Sequence, residues 1–90
     1  MRPFLKPAAY TVETEFRYLS ELRPGQRGVI DSFTDYELSL KLLEMGCLPG
    51  EVVEVVRIAP FGDPIAISVA GYVLSLRKEE ARTIRIKHTK

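Results

Sequence analysis

The stretch Leu42–Ala81, LLEMGCLPGEVVEVVRIAPFGDPIAISVAGYVLSLRKEEA, decides the fold of this chain. It opens on the end of a helix. Gly46 stops that helix, because glycine alone takes the left-handed conformation of a C-cap without penalty. Cys47-Leu48-Pro49-Gly50 then forms a turn, with proline fixing φ and glycine supplying freedom. Val52–Ile58 is rich in β-branched residues and apolar in both phases, so it reads as a strongly bent strand buried on different sides in different parts. Ala59-Pro60-Phe61-Gly62-Asp63-Pro64 is a loop, since two prolines and a glycine cannot continue a ladder. Ile65, Ile67 and Val69 alternate on one strand, Ala70-Gly71 turns the chain, and Tyr72, Leu74 and Leu76 return it. Arg77–Ala81 reads as one helical turn.

Upstream, Tyr18, Leu19 and Leu22 make a short apolar turn closed by Pro24-Gly25, and Gly28–Phe33 begins the first strand. The helix that follows carries start signals. Thr34 is placed to cap it, Glu37 completes a capping box, and Phe33 and Leu38 are spaced as a hydrophobic staple. Leu38, Leu42 and Met45 share one face, while Glu37 and Lys41 stand four apart in the favourable order. Downstream, Thr83–Lys87 alternates with Ile84 and Ile86 inward. The fold class expected is mostly β with one α-helix and a short helical turn, arranged as a small five-stranded, partly open barrel. Residues 1–16, with prolines at positions 3 and 7, read as a leader outside the domain, which spans 17–88.

The totals narrow the function. Ninety residues make one domain with a modest core and little room for a deep substrate cavity. A single cysteine, Cys47, forms no internal disulfide and suits a reducing cytoplasm. No apolar run approaches the roughly 20 residues of a membrane-spanning helix. A formal charge of +1 argues against nucleic acid as an obligatory partner. The charge is polarised, however: residues 31–54 carry six acids and one base, whereas 77–90 carry six bases and two acids. Such polarity can orient docking or favour head-to-tail self-association into a homo-oligomer, although solvated faces on a small domain are the simpler account.

Catalytic chemistry is hard to find. The chain has no P-loop pattern for a nucleotide. Its one histidine, His88, stands near the C-terminus with no cysteine or histidine at ligand spacing. Cys47 lies past a helix end, where no macrodipole lowers its pKa, and is read as a structural thiol. Metal contact through Cys47 with Asp63 or His88, across an oligomer interface, is the alternative. Glu79 and Glu80 read as a charged turn rather than a catalytic pair. Tyr36, Leu40 and Phe61 exceed what one small barrel hides, so they either form an apolar partner site or cover the barrel mouth. The chain is read as a binding module, not an enzyme.

Taken together, Leu19-Ser20-Glu21-Leu22 with Gly25, Lys41-Leu42-Leu43-Glu44-Met45-Gly46, Leu48-Pro49-Gly50 and the Ala59–Pro64 loop resemble the ferrous-iron transport protein A family. Gly71, Leu76-Arg77-Lys78-x-Glu80-Ala81 and Ile84-x-Ile86 extend the resemblance over residues 17–88. It implies an SH3-like barrel with a helix inserted after the first strand. It also implies a cytosolic accessory or regulatory subunit binding the cytoplasmic part of a GTP-dependent ferrous-iron permease, protein B of the same system. No cofactor is then required, although weak contact with Fe(II) or another transition metal is compatible. Lys41, Leu43, Phe61, Asp63 and Arg77 are the expected partner contacts. The barrel resembles in addition the C-terminal SH3-like domain of iron-dependent repressors, so a metal-responsive regulatory domain is the alternative. The chain departs from the family pattern at Cys47, where a branched aliphatic residue is usual, and in the leader.

Overall fold

The computed structural model describes residues 17–88; the expected leader lies outside the described residues. Six strands make one antiparallel sheet in the order β1-β6-β2-β3-β4-β5, namely Arg17–Tyr18 (β1), Arg27–Phe33 (β2), Val52–Ile58 (β3), Ile65–Val69 (β4), Tyr72–Leu76 (β5) and Ile84–His88 (β6). A 3-10 turn, Leu19–Glu21, follows β1. Helix α1, Tyr36–Met45, follows β2, and the one-turn helix α2, Lys78–Ala81, precedes β6. The architecture is the expected mostly-β class. The sixth strand is a two-residue addition, Arg17 opposite Ile86 and Tyr18 opposite Arg85. It has no strand pattern of its own, because β6 supplies its ladder.

The core is drawn from alternate positions of the strands. Val53 and Val55 of β3, Ile65, Ile67 and Val69 of β4, and Ile84 and Ile86 of β6 are buried with Leu19, Leu22, Ile30 and Leu76. The two apolar phases of β3 have a geometric cause. A register shift between Val55 and Arg57 makes Val56 the extra residue of a bulge, after which Arg57 pairs with Ala66 and Ile58 with Ile65. The expectation that both phases are buried is therefore corrected: Val52 and Val56 remain about half exposed, and the bulge serves to keep Val55 and Ile58 on the core side. Opposite Val55, the Pro24-Gly25 turn docks on the strand, with the Gly25 amide donating to the Val55 carbonyl at 2.7 Å and the Val55 amide to the Gln26 carbonyl at 3.0 Å. A second bulge, between Ile30 and Ser32, bends β2 against β6. Close approach of those two strands requires Gly28, where an added Cβ would stand 2.9 Å from Ile86 Cδ1 and 3.0 Å from the Lys87 carbonyl.

Helix α1 starts one residue later than its sequence suggests. Asp35, not Thr34, is the N-cap, its carboxylate accepting from the Leu38 amide at 3.0 Å. Thr34 is held elsewhere, its amide donating to the Thr83 carbonyl at 2.8 Å. Both residue types can cap; the tie to Thr83 leaves Asp35 the one free to do so. Gly46, with φ of 107°, closes the helix as expected, and the Cys47 amide donates back to the Leu42 carbonyl at 2.9 Å. The following turn is pinned to β2 by the Gly50 amide donating to Ile30 at 2.8 Å and the Ile30 amide donating to Glu51 at 2.9 Å.

Candidate functional site

Five residues were expected to form a partner surface, and the fold brings four of them into one connected region. Glu80 is the hinge of that region. It occupies the third position of α2, is 4% exposed, and uses both carboxylate oxygens. Oε1 accepts from the Arg77 backbone amide at 2.8 Å, which caps the helix, and Oε2 accepts from Lys41 Nζ of α1 at 2.6 Å. The reading of Glu79-Glu80 as a charged turn thus holds for exposed Glu79 and is corrected for Glu80. The expected pairing of Lys41 with Glu37 is replaced by a contact spanning 39 residues. Burial opposes ionisation of Glu80, but the Lys41 ammonium and the Arg77 amide outweigh it and hold the carboxyl below its ordinary range.

On the other side of α2, Asp63 of the β3–β4 loop accepts from the Lys78 amide at 3.1 Å and stands 3.9 Å from Arg77 Nε. Asp63 therefore positions the start of α2, and the loop that carries it presents Phe61 outward at 98% exposure. A helix terminus held by Asp63 and Glu80, with Lys41 and Arg77 beside them, links the α1 surface to the Phe61 loop. Leu43, the fifth residue, lies on α1 about one-third exposed, and Tyr36 and Leu40 of that helix are more exposed. Sequence reasoning missed Glu80 as the link. Its one available signal was the spacing Arg77-x-x-Glu80, the reach of a capping side chain back to its N-cap.

Cys47 is fully buried in the core cluster. Burial, and secondarily the negative charge of Glu80, push its thiol up, so at neutral pH it is protonated and a poor metal ligand or nucleophile. Reaction with a disulfide reagent at pH 8 is expected to be on the order of 100-fold slower in the folded protein than in denaturant. A burst of labelling without unfolding would show the thiol to be accessible. Among the described residues, no three His, Cys, Asp or Glu side chains gather where they could hold a metal ion. His88 is on β6, but its side chain lies outside the described ones. No helix among the described residues is long and apolar enough to cross a membrane.

A family model for the FeoA domain matches residues 17–88, from β1 through β6. The chain belongs to the FeoA domain family. A segment of the Fe(2+) transport protein A/Fe(2+) transporter FeoB fusion protein of Porphyromonas gingivalis is 37% identical over 70 residues, covering 77% of this chain. The match spans 8% of that fusion's length. Among solved structures, the FeoA-like protein of Clostridium acetobutylicum aligns with a TM-score of 0.80 and 31% identity, over 86% of this chain and 91% of its own. FeoA of Stenotrophomonas maltophilia, complexed with zinc and described as an SH3 domain protein, aligns with a TM-score of 0.69 and 29% identity over 79% and 89% of the two chains. The SH3-like character expected of the barrel is therefore that of its FeoA relatives. A manganese-dependent transcriptional repressor shares the fold alone, at 17% identity and a TM-score of 0.74 over 82% of this chain and 42% of its own.

Proposed function

We propose that this chain is an accessory subunit of ferrous-iron uptake that docks on the cytoplasmic part of a GTP-dependent ferrous-iron permease. The observation that carries the reading is the Porphyromonas gingivalis fusion, in which a related segment is covalently part of a protein named for FeoA and FeoB together. An exposed Phe61 on a loop braced by Asp63 supports it, since interface anchors are aromatic side chains held on rigid supports. The region offers binding without a nucleophile, base and orienting group in mutual reach, which fits a regulatory subunit. Cytoplasmic residence follows from this reading, and no cofactor is needed for it.

The test is calorimetric mixing of the protein with the permease's cytoplasmic domain, with and without guanine nucleotide. Binding in at least one nucleotide state is expected, and Phe61→Ala should weaken it by about tenfold or more, the loss typical of an aromatic anchor. Absence of binding in every state would overturn the reading. A metal-responsive regulatory role has the zinc complex of the Stenotrophomonas maltophilia relative in its favour. Titration with Fe(II) or Zn(II) followed by NMR separates the two, because tight stoichiometric shifts around Cys47 or His88 would support the metal-responsive role.

A further inference from the structure

Strand β5 is one edge of the sheet, and its hydrogen-bonding alternation can be read from the hairpin it shares with β4. Ala70 and Gly71 both have positive φ, 52° and 84°, the geometry of a two-residue type I′ turn. The flanking pair Val69–Tyr72 is therefore hydrogen-bonded, as are Ile67–Leu74 and Ile65–Leu76 along the same ladder. Val73 and Ser75 fall between them. Their N–H and C=O groups point away from β4 toward the open edge. The strand, Tyr-Val-Leu-Ser-Leu, carries no charge and no proline, the devices that normally blunt an edge. Tyr72 and Val73 are 71% and 68% exposed.

Beside this edge, the outer face of the sheet is hollowed. Arg57, Ala66 and Ser75 are cross-strand neighbours on β3, β4 and β5. Ala66 and Ser75 are small, so the row dips between larger groups. Two adjoining depressions of about 280 and 380 Å³ meet there and share Pro64 and Ser75. Arg57 bounds one and Arg77 the other. The Arg57 side chain is exposed and has no ion pair or hydrogen bond among the described residues. Asp63 lies 3.9 Å from Arg77 Nε, and its other oxygen is occupied by the Lys78 amide. The groove thus has an uncompensated cation, Arg57, at one end, an Arg77–Asp63 pair at the other, and a floor of small side chains.

We propose that the β5 edge and this groove take an extended acidic segment of a protein partner, added as a seventh strand. The backbone of Val73 and Ser75 supplies the ladder. Outer-face side chains of the added strand lie beside Val73 and Ser75, where a carboxylate meets Arg77 at the end of β5, and a long carboxylate side chain extended across Ser75 and Ala66 reaches toward the extended Arg57. A second copy of this chain is disfavoured as the occupant, because a two-fold pairing through β5 brings the same arginines to both sides. The inference rests on the proposed partnership only for the identity of the partner, not for the chemistry of the site.

The probe is a synthetic peptide of about nine residues alternating valine and glutamate, with a valine–lysine counterpart, followed by amide NMR and hydrogen exchange. The glutamate peptide is expected to shift and protect the Val73 and Ser75 amides and to bind about tenfold more tightly than the lysine peptide. Arg57→Glu should reverse that preference, whereas Arg27→Glu, outside the groove, should preserve it. No protection at Val73 and Ser75 with about 1 mM glutamate peptide would overturn the proposal, as would equal binding of both peptides. Protection that appears without peptide as protein concentration rises would overturn it in favour of self-pairing. Permease binding that survives Arg57→Glu unchanged would remove this site while leaving the partnership intact. Edge protection by the glutamate peptide without any permease binding would support the site and remove the partnership.

Discussion

Glu80→Ala is expected to destabilise the domain by about 2–4 kcal/mol, with the loss read from urea denaturation. The substitution leaves the Arg77 amide without its cap and strips Lys41 of its partner, so two elements loosen at once. Lys41→Met should cost about 1 kcal/mol or less, because the lysine side chain is 59% exposed and water replaces much of the ion pair. The inequality between the two partners is the informative result. Equal losses would mean that the pair, rather than the cap, carries the energy. Glu80→Gln keeps the shape and one acceptor and is expected to fall between them.

The same residue sets an acid limit. The carboxyl of Glu80 is held below its ordinary range in the folded state, so the folded protein binds its proton less readily than the unfolded chain. Its stabilising contribution is complete above the ordinary glutamate range, near pH 4.3, and is lost as pH falls from there through the folded value. Melting temperatures of the wild type should therefore drop more steeply below about pH 5 than those of Glu80→Gln. Parallel curves would contradict the assignment.

The second large effect is expected at Leu42, where substitution by alanine should cost about 2–5 kcal/mol. Leu42 is the one fully buried apolar side chain of α1, with Met45 only partly buried against the core. The helix is thus held by one apolar anchor, by Lys41–Glu80 and by its two tethered ends. Hydrogen exchange should show the α1 amides of Leu42→Ala opening well before those of β3 and β4, since the sheet core does not depend on the helix for its ladder. A uniform loss of protection across sheet and helix would instead show that helix and barrel open as one unit.

Much of the fold is legible because local chemistry and global position agree. Gly46, the Ala70-Gly71 turn and the alternation of Ile65, Ile67 and Val69 each satisfy a local rule at the place where the tertiary structure needs it. The elements that escape the sequence depend on contacts distant along the chain. Asp35 displaces Thr34 as cap because Thr83 engages the latter. Lys41 turns from Glu37 to Glu80 because α2 packs where the sequence cannot place it. The two phases of β3 are ambiguous until β4 pairs with it and exposes Val56 as a bulge. At the candidate site the individual residues are visible in sequence, whereas the brace that joins them is not. A carboxylate beside another on a helical turn does not announce which one is buried.

Pairing of β1 with β6 sets Arg17 directly across from Ile86. Polypeptide entering the domain and polypeptide leaving it consequently pass through the same doorway. A neighbour joined on either side can be attached without cutting a strand or crossing the barrel. Such a tether converts encounter with a partner into an intramolecular event at an effective concentration on the order of millimolar for a short flexible linker. Under the proposed partnership, contacts too weak to hold two separate molecules together would suffice in a fusion such as that of Porphyromonas gingivalis.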